Sequence, residues 1–204
     1  MLKKLFVAAL LCFSAPVFAG GKIAPPDFKE DSRNPAPSTA LNAFQRFDLA
    51  PVAMGAPWKG QDANEAALAN LQANVDIRVK PVVAEWNAKP PADVPRTLKI
   101  EPEIAYIRFI TGGKRFFAGA FAGDSGILLK VKLSDAATGE VIGEPQFYQR
   151  ANKFGATWSF GATDKHMLIR MSAMVADYLK TNYAAPAETL VMVAPGHEED
   201  LNDK

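Results

Sequence analysis

Two segments with alternating apolar residues constrain the fold of this chain more than any other feature. The first reads "RTLKIEPEIAYIRFI" and has apolar positions at Leu98, Ile100, Ile104 and Tyr106. The second reads "ILLKVKLSD" and has apolar positions at Ile127, Leu129, Val131 and Leu133. A period of two places every second side chain on one face, so both segments are predicted to be half-buried strands. Glu101 and Glu103 then share the opposite face, which we interpret as an exposed acidic face.

A hairpin and one further strand complete the predicted sheet. "DAATGE" has turn composition, with Gly139 available for a positive φ, and "VIGEPQFYQR" at residues 141–150 returns as the partner strand. Earlier in the chain, Phe44, Phe47, Leu49 and Val52 suggest a first strand. Pro51 lacks an N–H for the ladder, so this strand is expected at an edge or to end there.

Two helices are predicted from apolar residues spaced by three and four. The first runs from about residue 63 to 80 behind a capping box formed by Asp62 and Glu65. Pro81 must kink or end it, which leaves a bent or separate turn to about residue 87. Its apolar stripe contains Leu68, Leu71, Val75, Val79, Val82 and Trp86. The second helix, at about 164–182, is predicted to bury Leu168, Met171, Val175 and Tyr178.

The order of these elements predicts an α+β fold. We expect a single small mixed or antiparallel sheet of about four to five strands, covered by two helices. Residues 20–42 are rich in proline, glycine and charge and are predicted to be an extended or disordered leader. Residues 43–185 form the single domain, and residues 186–204 form a C-terminal tail in which "TLVMVA" can add a short strand.

The first nineteen residues predict export. Lys3 and Lys4 precede an apolar stretch, and Val17 and Ala19 are the small residues that signal peptidase accepts. We predict a signal peptide over residues 1–19, cleavage after Ala19, and a periplasmic or secreted location. The single cysteine, Cys12, lies inside the apolar stretch and is not expected to be lipidated.

The charge of the predicted mature chain bounds its partners. Loss of Lys3 and Lys4 leaves 21 of the 23 basic residues against 22 acidic ones, a formal charge of −1. A near-neutral protein is a poor electrostatic partner for nucleic acid or for an anionic membrane. No stretch after the signal peptide reaches the roughly 18 apolar residues of a transmembrane helix. We therefore expect neither a nucleic-acid partner nor a transmembrane segment.

The motif "GDSG" at residues 123–126 raises the question of a serine nucleophile. The same letters surround the nucleophile of chymotrypsin-like proteases, which also have a second glycine and a proline after the serine. Here both histidines, His166 and His197, follow Ser125, whereas that family places its histidine and aspartate before the serine. We interpret the motif as a turn into a strand and predict no catalytic, metal-binding or cofactor-binding residue.

The glycine-rich segment before this motif is the candidate interaction surface. "FFAGAFAG" carries the small-xxx-small spacing of close packing, so it either packs on the sheet or is an exposed docking surface. "TGGKRF" can also cradle an anion between backbone N–H groups and a basic side chain. The candidate residues are Lys114, Arg115, Gly119, Gly123, Asp124 and Ser125.

The block from Arg115 to Ile142 resembles a bacterial envelope family known as a domain of unknown function. The resemblance rests on "FFAGAFAGDSG", "ILLKVKL" and "DAATGEVI", and is closest over residues 113–142. Its members are exported proteins and lipoproteins. The resemblance implies a fold similar to the periplasmic domain of the curli-secretion channel and to the amino-terminal domain of the Tol–Pal propeller protein. It implies no catalytic residues.

Three functional hypotheses follow from these observations. The first is a non-enzymatic exported module that binds another envelope protein or a second copy of itself. The second is a periplasmic domain that binds a small ligand or a glycan, with Trp58, Trp86 or Trp158 as a stacking platform. The third is a hydrolase that uses Ser125. We favour the first, with no cofactor.

Overall fold

The computed structural model of the protein describes residues 24–29, 31–90, 93–108, 125–150 and 162–192. Its elements are two long strands, several short strands, two 3-10 turns and three helices. In chain order they are β1 (Arg33–Asn34), a 3-10 turn (Leu41–Ala43), β2 (Arg46–Leu49), β3 (Ala53–Met54), a second 3-10 turn (Ala56–Trp58), α1 (Asp62–Arg78), α2 (Lys80–Asn87), β4 (Thr97–Arg108), β5 (Gly126–Asp135), β6 (Val141–Gly143), β7 (Gln146–Arg150), α3 (Ala162–Ala184) and β8 (Thr189–Leu190).

The long strands β4 and β5 pair antiparallel at the centre of a six-stranded mixed sheet. On the outer side of β4 lie β2 and β3, both parallel to it. On the outer side of β5 lie β6 and β7, both antiparallel to it. The predicted α+β class is confirmed. Gly139 has φ of +74° in the turn after β5, as the turn composition predicted.

A proline inside β4 explains why the predicted first strand is split in two. Pro102 lies opposite Val131, whose N–H donates to the carbonyl of Pro145 on the far side of β5. This pair is therefore not hydrogen-bonded across β4 and β5, and the ring nitrogen of Pro102 faces the neighbouring edge strand. That edge is interrupted there, between β2 and β3, at Pro51. The proline without an N–H thus faces the break in the ladder.

The three helices of the described residues pack with one face of the sheet around the main core. Both predicted helical stripes supply it, and the buried members are Leu71, Val75, Val79, Val82, Trp86, Leu168, Met171, Val175 and Tyr178. Fully burying one large apolar side chain contributes about 1.5–3 kcal/mol. Trp86 stacks on Tyr183 at a centroid distance of 4.4 Å and contacts Phe47 at 5.0 Å. It is a core residue, which removes it as a stacking platform for a ligand.

One predicted face assignment is wrong because β4 contains an irregularity. The register against β5 shifts between Ile104 and Tyr106. Ile104 pairs with Leu129 in the main core, whereas Tyr106 pairs with Leu128 in a separate apolar cluster. A one-residue shift moves every later side chain to the other face. Tyr106 therefore lies on the face opposite to the one that strict alternation predicted.

The predicted capping box at the start of α1 is also wrong. Asp62 is the first helical residue, Gln61 occupies the N-cap position, and no side chain caps the helix there. Glu65 does reach back, but its Oε1 accepts the N–H of Gly60 at 2.9 Å. The predicted break at the end of α1 is confirmed, because α2 starts at Lys80 with Pro81 in its first turn. Proline is tolerated there because that N–H has no intrahelical acceptor.

Ordered packing begins inside the segment predicted to be a leader. β1 pairs antiparallel with β8, so the predicted short strand of the tail forms but pairs with residues 33–34, not with the main sheet. Asn34 is 2% exposed and Leu41 is fully buried. The chain before residue 43 therefore belongs to the folded unit from at least Arg33 onward.

Both outer edges of the sheet are closed by asparagine side chains. On the β2 edge, Asn87 accepts the N–H of Phe47 and donates to its carbonyl, both at 2.8 Å. On the β7 edge, Asn34 accepts the N–H of Gln146 at 2.7 Å and donates to its carbonyl at 2.8 Å. Each primary amide satisfies one edge residue as the backbone of another strand would. The sheet therefore ends at these positions.

We expect Asn87→Ala to destabilise the protein, because it leaves the N–H and carbonyl of Phe47 without their partner. The free energy of unfolding should fall by about 1–3 kcal/mol, measured by urea denaturation. Asn70→Ala is the matched control, since Asn70 is exposed and bonds only to the carbonyl of Ala66 in its own helix. That control should change stability by less than about 0.5 kcal/mol. Equal effects of the two substitutions would contradict the edge-closing role.

Candidate functional site

Most of the predicted interaction surface lies outside the described residues. This applies to Lys114, Arg115, Gly119, Gly123 and Asp124. The remaining member, Ser125, is described and is 1% exposed. It lies inside the fold immediately before β5, so its hydroxyl forms no part of an exposed surface.

The last residue of the "GDSG" motif, Gly126, lies close to a buried tyrosine side chain. A Cβ added to Gly126 would lie 3.2 Å from the hydroxyl of Tyr148. Tyr148 is 3% exposed, and its ring lies 5.6 Å from that of Phe28. Gly126 therefore lets an aromatic side chain of β7 approach the backbone of β5 closely. A larger residue at this position would require the Tyr148 hydroxyl to shift by a few tenths of an ångström.

A small apolar cluster covers one end of the sheet on the face away from the helices. It is formed by Tyr106, Leu128, Tyr148 and Val191, with Phe28, Trp58, Ala105 and Met192 packed against it. Trp58 is half-buried, donates its indole N–H to the carbonyl of Ala105 at 2.9 Å, and contacts Tyr106 edge-on. Trp158 lies outside the described residues. Residues near both ends of the described chain, Phe28, Val191 and Met192, thus cover this end of the sheet.

Among the described residues, none covers the other end of the same face, which carries exposed charges of both signs. We call it the open half-face, and its residues are Lys99, Glu101, Glu103, Lys130 and Lys132. Glu101 lies opposite Lys132, and Glu103 lies opposite Lys130. The Glu101 carboxylate is 3.8 Å from the Lys132 ammonium, with both side chains nearly half exposed. Glu101 and Glu103 are exposed on one face of β4, as predicted, but this face is not acidic because β5 places a lysine opposite each glutamate.

A buried polar contact joins β7 to α3, and sequence reasoning did not find it. Gln149 is 1% exposed and Arg170 is 4% exposed. The Nε of Arg170 donates to Oε1 of Gln149 at 2.9 Å, and the Gln149 amide donates to the sulfur of Met174 at 3.2 Å. The only signal available was polar residues within otherwise apolar segments. This contact positions α3 against the hairpin.

An ion pair closes the end of the sheet where β5 enters its turn. Oδ2 of Asp135 accepts hydrogen bonds from Nε and a terminal nitrogen of Arg96 at 3.0 and 2.8 Å. Its Oδ1 accepts the N–H groups of Ala137 and Thr138 in the turn. The hydrogen bond from Arg96, followed by that from Ala137, lowers the pKa of Asp135 below its ordinary value. The guanidinium also lies 4.5 Å over the ring of Phe44. This carboxylate organises a turn.

Two further properties bear on the kind of site that the described residues can form. Within them, no group of three histidine, cysteine or acidic side chains lies close enough to hold a metal ion. None of the helices in that part of the chain is both long enough and apolar enough to cross a membrane.

Comparisons with known proteins give structural likenesses only. No protein-family model matches the chain, and no curated protein sequence matches it. PelC from Paraburkholderia phytofirmans, solved as a dodecamer, is similar with a TM-score of 0.39 and 12% identity, over 72% of this chain and 95% of PelC. A Xanthomonas campestris protein of family-model DUF330 is similar with a TM-score of 0.36 and 14% identity, over 71% of this chain and 90% of its own. Since both scores and both identities are low, we base function on this chain's own residues.

We expect Asp135→Asn to lower the urea midpoint at neutral pH, because a neutral amide cannot form the ion pair with the Arg96 guanidinium. A carboxyl whose folded pKa is depressed stabilises the fold above its unfolded pKa, near 3.8, and loses that contribution as pH falls through the folded pKa. The difference between wild type and variant should therefore shrink on acidification below that value. A difference that stays constant with pH would contradict this role of the ion pair.

Proposed function

We propose that the protein is an exported, non-enzymatic module that binds another protein of the bacterial envelope. The signal-peptide pattern of residues 1–19 supports export to the periplasm or beyond. The resemblance of residues 113–142 to an envelope family supports the compartment in which the partner is expected. The single observation that carries the binding role is the open half-face.

The charge pattern of the open half-face favours a protein as the partner. Two glutamates on β4 lie opposite two lysines on β5, and a third lysine, Lys99, precedes Glu101 on the same face of β4. Charges of mixed sign at this spacing cancel at a distance, so the face cannot attract a polyanion by a net potential. A protein surface with the opposite arrangement of charges can instead be matched pair by pair, which sets register and specificity. Nucleic acid and an anionic membrane fit this face poorly.

Buried or pKa-shifted polar groups can mark a catalytic site in a protein, but those in the described part of this chain have packing roles. Ser125 is buried at the start of β5. The lowered pKa of Asp135 is caused by an ion pair and by turn N–H groups. Burial raises the pKa of Tyr178 to about 12, and its hydroxyl donates to the carbonyl of Pro35 at 3.4 Å. These roles support the non-enzymatic proposal, because perturbed groups are here accounted for by structure.

We expect site-specific photocrosslinking in cells to capture the partner from the open half-face. A photoreactive amino acid replaces Glu101 in one variant and Lys132 in another, each in the tagged, exported protein. The matched control replaces Ile77, which is 66% exposed on α1, an element of the helical layer. A single adduct should form from both strand positions and be absent from the control. Equal capture from Ile77, or none from the strand positions, would reject this face.

The glycine-rich segment remains the predicted second part of the interaction surface, and it has its own test. Replacing Gly119 and Gly123 with leucine should abolish partner capture, because the larger side chains prevent close approach at a small-xxx-small surface. Circular dichroism and urea denaturation establish that the variant is folded. Unchanged capture by a folded variant would remove this segment from the interface and leave the open half-face to account for binding.

A further inference from the structure

The described part of the chain ends on the same face of the sheet that carries the open half-face. We define the acidic tail as residues 193–204, which follow that end and read "VAPGHEEDLNDK". We propose that the acidic tail docks on the lysines of the open half-face of its own molecule and competes there with the partner. The competition rests on the proposed function, whereas the docking concerns the purified protein alone.

Contacts of the last described residues place the start of the acidic tail on the outward face. Val191 belongs to the apolar cluster there, and Met192 packs against it. The carbonyl of Val191 accepts the N–H of Tyr148 at 2.9 Å, and Tyr148 lies opposite Leu128. Lys130 is two residues further along β5 on the same face, about 7 Å away. The acidic tail therefore begins beside the open half-face.

The acidic tail must reverse its direction to reach the lysines. Through the side chain of Asn34, the start of β8 lies at the level of Gln146. Val191 then lies at the level of Tyr148, so the chain runs along β7 away from the open half-face. Residues 195–196 are Pro-Gly, the preferred central pair of a type II turn. The sequence thus predicts a turn that directs the acidic residues back toward the open half-face.

The acidic tail is long enough to reach the lysines after such a turn. Residues 193–195 span about 10 Å on the way out, and residues 197–204 span about 26 Å on the way back. The end of the tail therefore reaches about 16 Å beyond its start. Lys130 and Lys132 lie about 7 and 14 Å from Leu128 along β5. Both ammonium groups are within reach of the carboxylates that follow the turn.

The charges of the acidic tail and of the lysines are complementary. Four carboxylates of the tail against its single lysine give a formal charge of −3. These carboxylates are Glu198, Glu199, Asp200 and Asp203. In the described part of the chain Lys130 forms no ion pair, although Glu103 lies opposite it. Lys130 is also the lysine of β5 nearest to the start of the tail, so it is the expected first contact.

The covalent link is what makes this docking effective. An exposed ion pair is weak by itself, and the mixed charges of the open half-face give it little net potential. A short link, however, keeps the tail carboxylates near the face at an effective concentration in the millimolar range. A separate polyanion has no such link, so nucleic acid remains a poor partner for the same face.

Carbodiimide crosslinking of the purified exported protein tests the docking, because the reagent joins a lysine directly to a carboxylate in contact with it. Peptide mapping by mass spectrometry should find the acidic tail joined to Lys130 or Lys132, in material at the mass of one chain. Lys80 is the internal control, since its side chain is 69% exposed on α2 in the helical layer.

Three results of the crosslinking would overturn the docking. The first is that no product contains the acidic tail. The second is that the tail is joined to Lys80 in the same yield as to the lysines of β5, which would show no preference for the open half-face. The third is that the product occurs only at the mass of two chains, which would assign the contact to another molecule.

The competition with the partner is tested by neutralising the acidic tail without changing its length. The variant carries Glu198→Gln, Glu199→Gln, Asp200→Asn and Asp203→Asn. Photocrosslinking from position 101 should then yield about two-fold more partner adduct or better, because a face covered for half of the time binds with proportionally lower affinity. An unchanged yield would overturn the competition. If neither protein forms an adduct, the proposed function fails and the competition with it, while the carbodiimide product still decides the docking.

Discussion

The antiparallel pairing of β4 with β5 is the interaction on which the rest of the structure depends. These strands form the centre of the sheet, and every other strand of that sheet pairs with one of them. Their register sets which side chains face the helices and which face outward. The shift after Ile104 divides the outward face in two. One part is the apolar cluster around Tyr106, and the other is the open half-face.

The short strands that flank the central β4–β5 pair form the two outer edges of the sheet. Short strands on each side leave backbone groups that would otherwise pair with another chain. On one side, amides carried by α1 and α2 satisfy them, and on the other side residues before and after the main fold do so. The amides of the first kind are carried by helices that pack in the main core. The second kind of closure is held by contacts of terminal segments, among them the carbonyl of Val191, which accepts the N–H of Tyr148.

The two faces of the sheet therefore differ: one packs against the helices, and the other faces outward. The face toward the helices is buried in the main core, which includes Trp86 and Tyr178. The outward face keeps its apolar end covered and presents its charged end to solvent. A partner that docks on the charged end is selected by the arrangement of charges and not by net charge. Buried polar groups such as Gln149 and Arg170 hold the helical layer in place.

Local chemistry in the sequence was sufficient for the class of fold, for both helical stripes, for the break before Pro81 and for the turn at Gly139. Each depends on neighbours a few residues away, where side-chain period and backbone restriction act directly. Only the tertiary structure decided the face of Tyr106, the lysine beside each glutamate, the pairing of β1 with β8, and the two asparagine closures. These depend on strand register and on contacts between residues far apart in the chain, and such contacts leave no periodic signal in the sequence.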